Sequence, residues 1–260
     1  MRISIPIFIF CIGNITFGQP NADQIKWINE QLSAEDLYTK EYREQYLKND
    51  FSSLWMNSNY VLGFIGPNYQ RLHLKIISVT KDSEHPDSYQ IIGKSMVKKN
   101  ICDFTGRIII TNVRVYKNMH YGADDEYKDI KQEGVVVGEY HFMENHNQKS
   151  SGTFDGVFCS WWFVDKSGCL KYDAIEDYSD GYCNNQFVGT WTRYGSKESK
   201  ACNWGDCRIP LSGDLDIGDG EFYPQDKYLI YGWQSYIDAW EKYNYDKQAR
   251  QEEQRKWWEQ

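Results

Sequence analysis

Six triplets in this chain place a glycine between two residues of the same strand face: Val61-x-Gly63-x-Ile65, Ile91-x-Gly93-x-Ser95, Phe104-x-Gly106-x-Ile108, Val136-x-Gly138-x-Tyr140, Phe154-x-Gly156-x-Phe158 and Phe187-x-Gly189-x-Trp191. In eleven of the twelve flanking positions that residue is apolar. Strand side chains alternate between faces, so each glycine lies on the inward, apolar side. Glycine weakens a strand and is kept where the backbone must bend or where something must approach closely. Repeated along antiparallel strands, the pattern predicts a sheet curled into a small barrel.

From Tyr60 onward the hydrophobic period is two, and strands are expected over 60–65, 70–80, 88–98, 104–116, 134–143, 152–163, 169–177 and 186–194. Turn-forming clusters such as Gly66-Pro67-Asn68 and Asp165-Lys166-Ser167-Gly168 separate them. Eight strands with mostly short links make an up-and-down barrel, and eight is the number whose interior just fills with side chains or holds one small ligand. The polar linkers 117–133 and 145–150 are expected at one rim. The fold class is therefore mainly β: an eight-stranded antiparallel barrel with amphipathic helices at both ends of the chain. In the first helical segment Ile25, Ile28 and Leu32 recur at helical spacing, and Ser33 reads as a cap before Leu37, Tyr38, Tyr42 and Tyr46. Near the C-terminus Trp233, Tyr236, Ile237, Trp240 and Tyr243 form an apolar helix face, followed by a charged stretch ending in Trp257-Trp258.

The expected organisation is a signal peptide at 1–18, a helical segment at 19–57, the barrel at 58–195, a long Cys/Gly/Asp-rich loop at 196–232 and a terminal helix at 233–260. The signal rests on Arg2, the apolar run Ile3–Ile15, and Thr16-Phe17-Gly18 before Gln19. That run is too short for a membrane anchor, so the mature chain is expected to be exported, periplasmic or extracellular, with no integral membrane segment. The net charge of −8 and the lack of a basic cluster argue against nucleic acid as a partner. Signal cleavage removes Cys11 and leaves Cys102, Cys159, Cys169, Cys183, Cys202 and Cys207, an even set that suits disulfides in an oxidising compartment. Cys202 and Cys207, bracketing Trp204-Gly205, are the expected pair.

Aromatic residues make up 16% of the chain. They either fill the volume that the glycines leave or line a binding surface. The candidate ligand contacts are Tyr140, Phe158, Trp162 and Trp191 on inward strand positions, with Trp204 and Arg208 in the following loop. Arg208 suits bidentate contact with a carboxylate, of a ligand or of a loop aspartate. Asp214, Asp216, Asp219 and Glu221, interleaved with glycines, suit either a calcium ion or a hydrogen-bonded turn cluster. The spacing departs from the helix-flanked calcium loop and favours the turn, so no cofactor is expected beyond that candidate calcium. No nucleophile elbow or zinc-protease helix occurs.

The run Phe187-Val188-Gly189-Thr190-Trp191, with Tyr194 nearby, resembles the Gly-x-Trp element of lipocalin-like (calycin) barrels, although here it falls in the last expected strand rather than the first. That resemblance implies an exported up-and-down barrel that binds a small apolar ligand in its cup. The stretches Asp180-Gly181-Tyr182, Asn184–Phe187 and Gly213–Gly218 resemble uncharacterised exported bacterial proteins and imply no activity. The sequence thus favours a non-enzymatic exported binding protein for a small apolar ligand or a protein partner, of inhibitor or immunity type. The alternative is a carbohydrate- or envelope-active enzyme with loop carboxylates at a barrel mouth.

Overall fold

The computed structural model describes residues 18–56, 61–240 and 246–259, so the expected signal segment, but for Gly18, and Cys11 lie outside the described residues. Nine strands form: β1 (Val61–Ile65), β2 (Gln70–Lys81), β3 (Ser88–Val97), β4 (Asn100–Val115), β5 (Gln132–Glu144), β6 (Gly152–Val164), β7 (Leu170–Tyr172), β8 (Asn184–Arg193) and β9 (Ser199–Asp206). Eight of them close an all-antiparallel ring in the order β1-β2-β3-β4-β5-β6-β8-β9, with β9 returning to β1 through Val61↔Asp206 and Ile65↔Cys202. The mainly-β barrel read from the glycine pattern is therefore the fold.

Four details differ from the sequence expectation. The segment 169–177 supplies only the three residues of β7, which lie outside the ring along Trp162–Val164 of β6. The eighth ring strand is β9, taken from within the expected long loop. Its Cys202, Trp204 and Asp206 alternate inward, but the polar Lys200 at the start of that series and Asn203 and Gly205 between its members hide the period. β9 also separates the expected disulfide partners. At roughly 3.3 Å per residue of extended chain, the five steps from Cys202 to Cys207 span about 16 Å, well beyond bridging distance. Nor do the linkers share a rim. Successive connections in an up-and-down barrel alternate ends, so 117–131 lies at the end opposite 145–151.

The glycines work through what sits across from them. Gly63 pairs with Trp204, Gly93 with Phe104, Gly106 with Phe142 and Gly138 with Phe158. The Phe104, Phe142 and Phe158 rings lie over their bare glycines, and Gly63 has the Trp204 Cβ against it. A Cβ at Gly93 would come within 2.3 Å of the Phe104 ring, and one at Gly138 within 1.9 Å of the Ile109 carbonyl and 2.7 Å of Phe158. Gly156 faces Gly189 across β6 and β8, and the Tyr140 hydroxyl covers both. The interior is consequently packed with rings: Tyr140, Phe187 and Trp204 lie within 4.8–5.3 Å of one another, centroid to centroid. Three ladder irregularities, at Ile76/Ser78, Ile110/Asn112 and Asn184/Phe187, add local bend.

Helices close one end and cover the outside. α1 (Ala22–Leu32) opens on a capping box in which Asn21 and Gln24 bond each other's backbone amides. Its Trp27 packs with Val135, Val137, Val157 and Val188 on the outer face of the barrel. Ser33 ends α1 rather than starting a second helix, and the next turn, α2 (Arg43–Tyr46), begins ten residues later. α3 (Ser52–Met56) plugs the barrel, with Phe51, Leu54 and Trp55 almost fully buried in the main core. At the other end of the chain lie α4 (Gln234–Trp240) and α5 (Lys247–Gln254). They are fastened to β2 by Arg71, which forks onto both oxygens of Glu253 and lies 5.0 Å over the Trp233 ring. Trp257 of the terminal aromatic pair docks beside His73, and burial there lowers the His73 pKa to about 3.

If ring-over-glycine packing sets the barrel's curvature, Gly138→Ala will cost at least about 2 kcal/mol, in the range of overpacking a tight core. Urea unfolding monitored by far-UV circular dichroism measures it, and a wild-type midpoint in the variant would contradict this account.

Candidate functional site

The unplugged end of the barrel carries a cleft of about 490 Å³. Its apolar wall is Ile65, Val97, Phe154 and Trp191, and Lys98, Lys149 and Lys200 stand at its edge. Each position follows from strand parity. Phe154 and Trp191 are inward residues near the ends of β6 and β8, where the ring stacking of the interior runs out. The lysines belong to the turns and strand ends that form the rim.

At the base of the cleft sits Glu144, the last residue of β5. It is buried and fully engaged: one oxygen accepts from the Ser95 hydroxyl, the other from Gly152 N at 2.8 Å and from Trp191 Nε1 at 2.9 Å. Burial raises its pKa, and these three donors oppose the rise. The Tyr194 hydroxyl adds a bond to the Glu144 carbonyl at 2.8 Å. Glu144 therefore fixes the Trp191 indole in place and holds β3, β5, β6 and β8 together at the rim. Neither Glu144 nor Ser95 was singled out from the sequence, yet a signal existed. Glu144 continues the inward series Val136, Gly138, Tyr140 and Phe142, and Ser95 is the single non-apolar residue among the twelve that flank the glycines.

Lys98 and Lys149 form no ion pair with any described carboxylate. Lys200 lies 3.2 Å from Glu198 and 5.8 Å over the Trp191 ring. A larger groove, about 690 Å³, runs between β2, β3 and the C-terminal helices. Arg71 pairs there with Glu253 and Arg255 with Glu252, while Lys98 and Lys99 stand on its β3–β4 side, so Lys98 borders both openings.

Of the six residues expected to touch a ligand, only Trp191 borders the cleft. Tyr140, Phe158 and Trp204 are ring packing in the filled interior, and Trp162 packs at a tilt against Tyr46 near the plug, 4.6 Å between centroids. Among the described residues, Tyr140 Oη and Trp162 Nε1 are buried without a hydrogen-bond partner. Arg208 lies outside the barrel and pins its own loop. Its Nε donates to Asp216 at 3.0 Å, Nη1 to the Gly220 carbonyl at 2.7 Å and Nη2 to the Gly218 carbonyl at 2.6 Å.

The four loop carboxylates do not converge. Asp216 takes Arg208 and the amides of Gly218 and Tyr223, whereas Asp214 takes Lys227 and Tyr228. The Glu221 carbonyl lies against Gly218, and only the carbonyl of Asp219 reaches towards Arg208. Among the described residues, no group of three or more His, Cys, Asp or Glu side chains is placed to hold a metal ion. The guanidinium of Arg208 supplies the positive charge around which this loop folds. The enzyme alternative needed two of these carboxylates in an open cleft, and Asp216 instead bonds amides within its own loop.

The plugged end holds a second polar cluster. Asp206 accepts from Tyr172 Oη and Asn185 Nδ2, both at 2.9 Å. Asn185 also donates to the Leu54 carbonyl and accepts from Ser160, which in turn accepts from Trp55 Nε1. The chain of bonds ties α3 to the barrel wall. Burial pushes the Asp206 carboxyl up to about 7, and burial also raises its neighbour-in-kind Asp173, which faces Glu133 and through it His120.

No protein-family model, curated protein or solved structure matches this chain.

Because the Asp206 pKa is higher folded than unfolded, its contribution to stability is complete below the ordinary carboxylate value of 3.8 and is lost as pH rises through about 7. Asp206→Asn keeps an acceptor for Tyr172 and Asn185 but cannot ionise. Melting temperatures recorded across that window will fall less with rising pH in the variant than in the wild type. An unchanged slope would mean that Asp206 is ionised in the folded protein.

Proposed function

We propose that the chain is an exported, non-enzymatic binding protein whose ligand seat is the cleft at the open rim, and that the ligand is a small molecule with an apolar body and an anionic group. The observation that carries this reading is the juxtaposition of the Trp191–Phe154 wall with Lys98 and Lys149, two lysines without a carboxylate partner in a chain of net charge −8. Small-molecule sites are concave and mainly apolar with a few convergent polar groups. The filled interior supports a rim site over a cup site, because an interior guest would have to displace rings that rest on glycine backbone. Export is supported by the N-terminal pattern of Arg2 and the apolar run after it.

A second reading, a protein partner, draws on the Arg208-pinned loop and the segment after it. Leu211, Ile217, Tyr223 and Ile230 are exposed there, Ile230 to 82%. Exposed apolar side chains gathered on an ordered loop are a common feature of protein contacts.

Titration calorimetry with decanoate and with decanol separates these readings. Decanoate is expected to bind more tightly than decanol and to weaken with added salt. A Lys98→Gln/Lys149→Gln variant should lose roughly fivefold in decanoate affinity, the scale of one exposed ion pair. Equal binding of both compounds would remove the anionic requirement, and binding of neither would shift the assignment to the loop surface.

A further inference from the structure

We infer that Cys183 and Cys207 form a disulfide that closes the open end of the β8–β9 hairpin. The argument comes from strand register. The β8–β9 ladder ends at the plugged end of the barrel on the facing pair Asn184↔Asp206. One step further along an antiparallel ladder, the facing residues are 183 and 207. Directly opposed positions hold their Cβ atoms about 4.5–5.5 Å apart, close to the spacing a disulfide needs. Cys207 adopts a left-handed backbone, φ 64°, and the Arg208 amide bonds back to the Asp206 carbonyl at 2.8 Å. The chain therefore turns at Cys207 and does not run on past Cys183.

Register sets the strand-borne cysteines other than 183 and 207 opposite residues that are not cysteines. Cys102 faces Ser95, Cys159 faces Val137 and Gln186, and Cys202 faces Ile65 and Gly189. Cys159 is in addition sealed beneath α1 with Trp27 and Leu37, and Cys169 lies exposed in the turn before β7. Among the described residues, only 183 and 207 bring two cysteines to opposed positions. Both are thiols in the structure. A charge on Cys207 weighs on the ionisation of Cys183, as one on Cys183 does on the buried Cys159, so it is the facing register that selects 207 as the partner of 183.

The bond forms by exchange with a disulfide oxidant, either a thiol–disulfide oxidoreductase or oxidised glutathione. One cysteine, as thiolate, attacks a sulfur of the oxidant and expels a thiolate, leaving a mixed disulfide. The second cysteine, as thiolate, displaces the remaining half. Two protons and two electrons leave the chain, and the oxidant departs as two thiols. Burial holds both thiols up at about 11, so few thiolates exist in the folded state at neutral pH. Exchange should therefore be fast while the chain folds and slow afterwards. The inference does not depend on what the rim cleft binds.

The test is to refold the reduced full chain in a glutathione redox buffer, denature it, alkylate it without reduction, digest it and identify the peptides by mass spectrometry. Expected is one cross-linked peptide joining Cys183 to Cys207, two hydrogens lighter than the sum of its reduced parts, with Cys11, Cys102, Cys159, Cys169 and Cys202 alkylated. Alkylation of both Cys183 and Cys207, or a link from either to any other cysteine, overturns the inference. As a second readout, reductant should lower the melting temperature of the oxidised wild type and leave Cys183→Ser unmoved. An equal response in both would count against the link. Should Cys183→Ser fail to fold, the peptide map of the wild type still decides.

Discussion

A bare glycine facing an aromatic ring on the next strand is the contact from which the rest of this barrel follows. Four such pairs, with Tyr140 spanning the Gly156–Gly189 pair, occur around the ring of strands. Removing the Cβ lets the strands curl tightly, and the ring from across the ladder occupies the space that opens. Curvature and core filling are thus one interaction rather than two. It also explains why the barrel encloses no cup. The residues that shape the wall are those whose partners occupy the interior, so an enlarged cavity would require a different curvature.

With the middle filled by rings, polar chemistry is displaced to the two ends. At the open end Glu144 gathers Ser95, Gly152 and Trp191. At the plugged end Asp206 gathers Tyr172 and Asn185, and through Ser160 reaches Trp55 of the plug. Both carboxylates occupy inward strand positions, where an unpaired charge would be costly, and both are met by two or three donors. The ends differ in access. Asp206 is covered by α3, whereas Glu144 lies beneath a cleft that opens between lysines.

Much of this was legible in the sequence, because a barrel advertises itself through period and glycine placement. The six triplets located β1, β3, β4, β5, β6 and β8 and assigned their inward faces correctly. What stayed hidden had local causes. β9 interrupts its apolar series with glycine and polar residues, so its membership is decided by pairing with β1 and β8 and not by its own pattern. The segment 169–177 alternates like a strand, but β8 has already left β6 there and no neighbour remains to extend the ladder. The candidate site was missed for a related reason. Attention to aromatic residues picked out Tyr140, Phe158, Trp162 and Trp204, which are packing. The informative residues were the polar exceptions on an apolar face, Ser95 and Glu144, whose meaning emerges only when Ser95 is seen to bond Glu144 and Glu144 to hold Trp191. Arg208 was read correctly in type, since it does grip a carboxylate, that of Asp216.

The ring closes by joining its first strand to its last, Val61 beside Asp206, across some 145 residues of chain. No shorter piece of the protein can seal the barrel. Until β9 has been synthesised and laid down, β1 and β8 each present an unpaired edge, with glycine-weakened, apolar inner faces open to water. Contacts so distant in sequence slow folding, and open edges of this kind invite pairing between chains. The topology therefore makes a partly synthesised chain more vulnerable than the finished one, and it favours a cellular route that keeps the chain unfolded until its last strand is available.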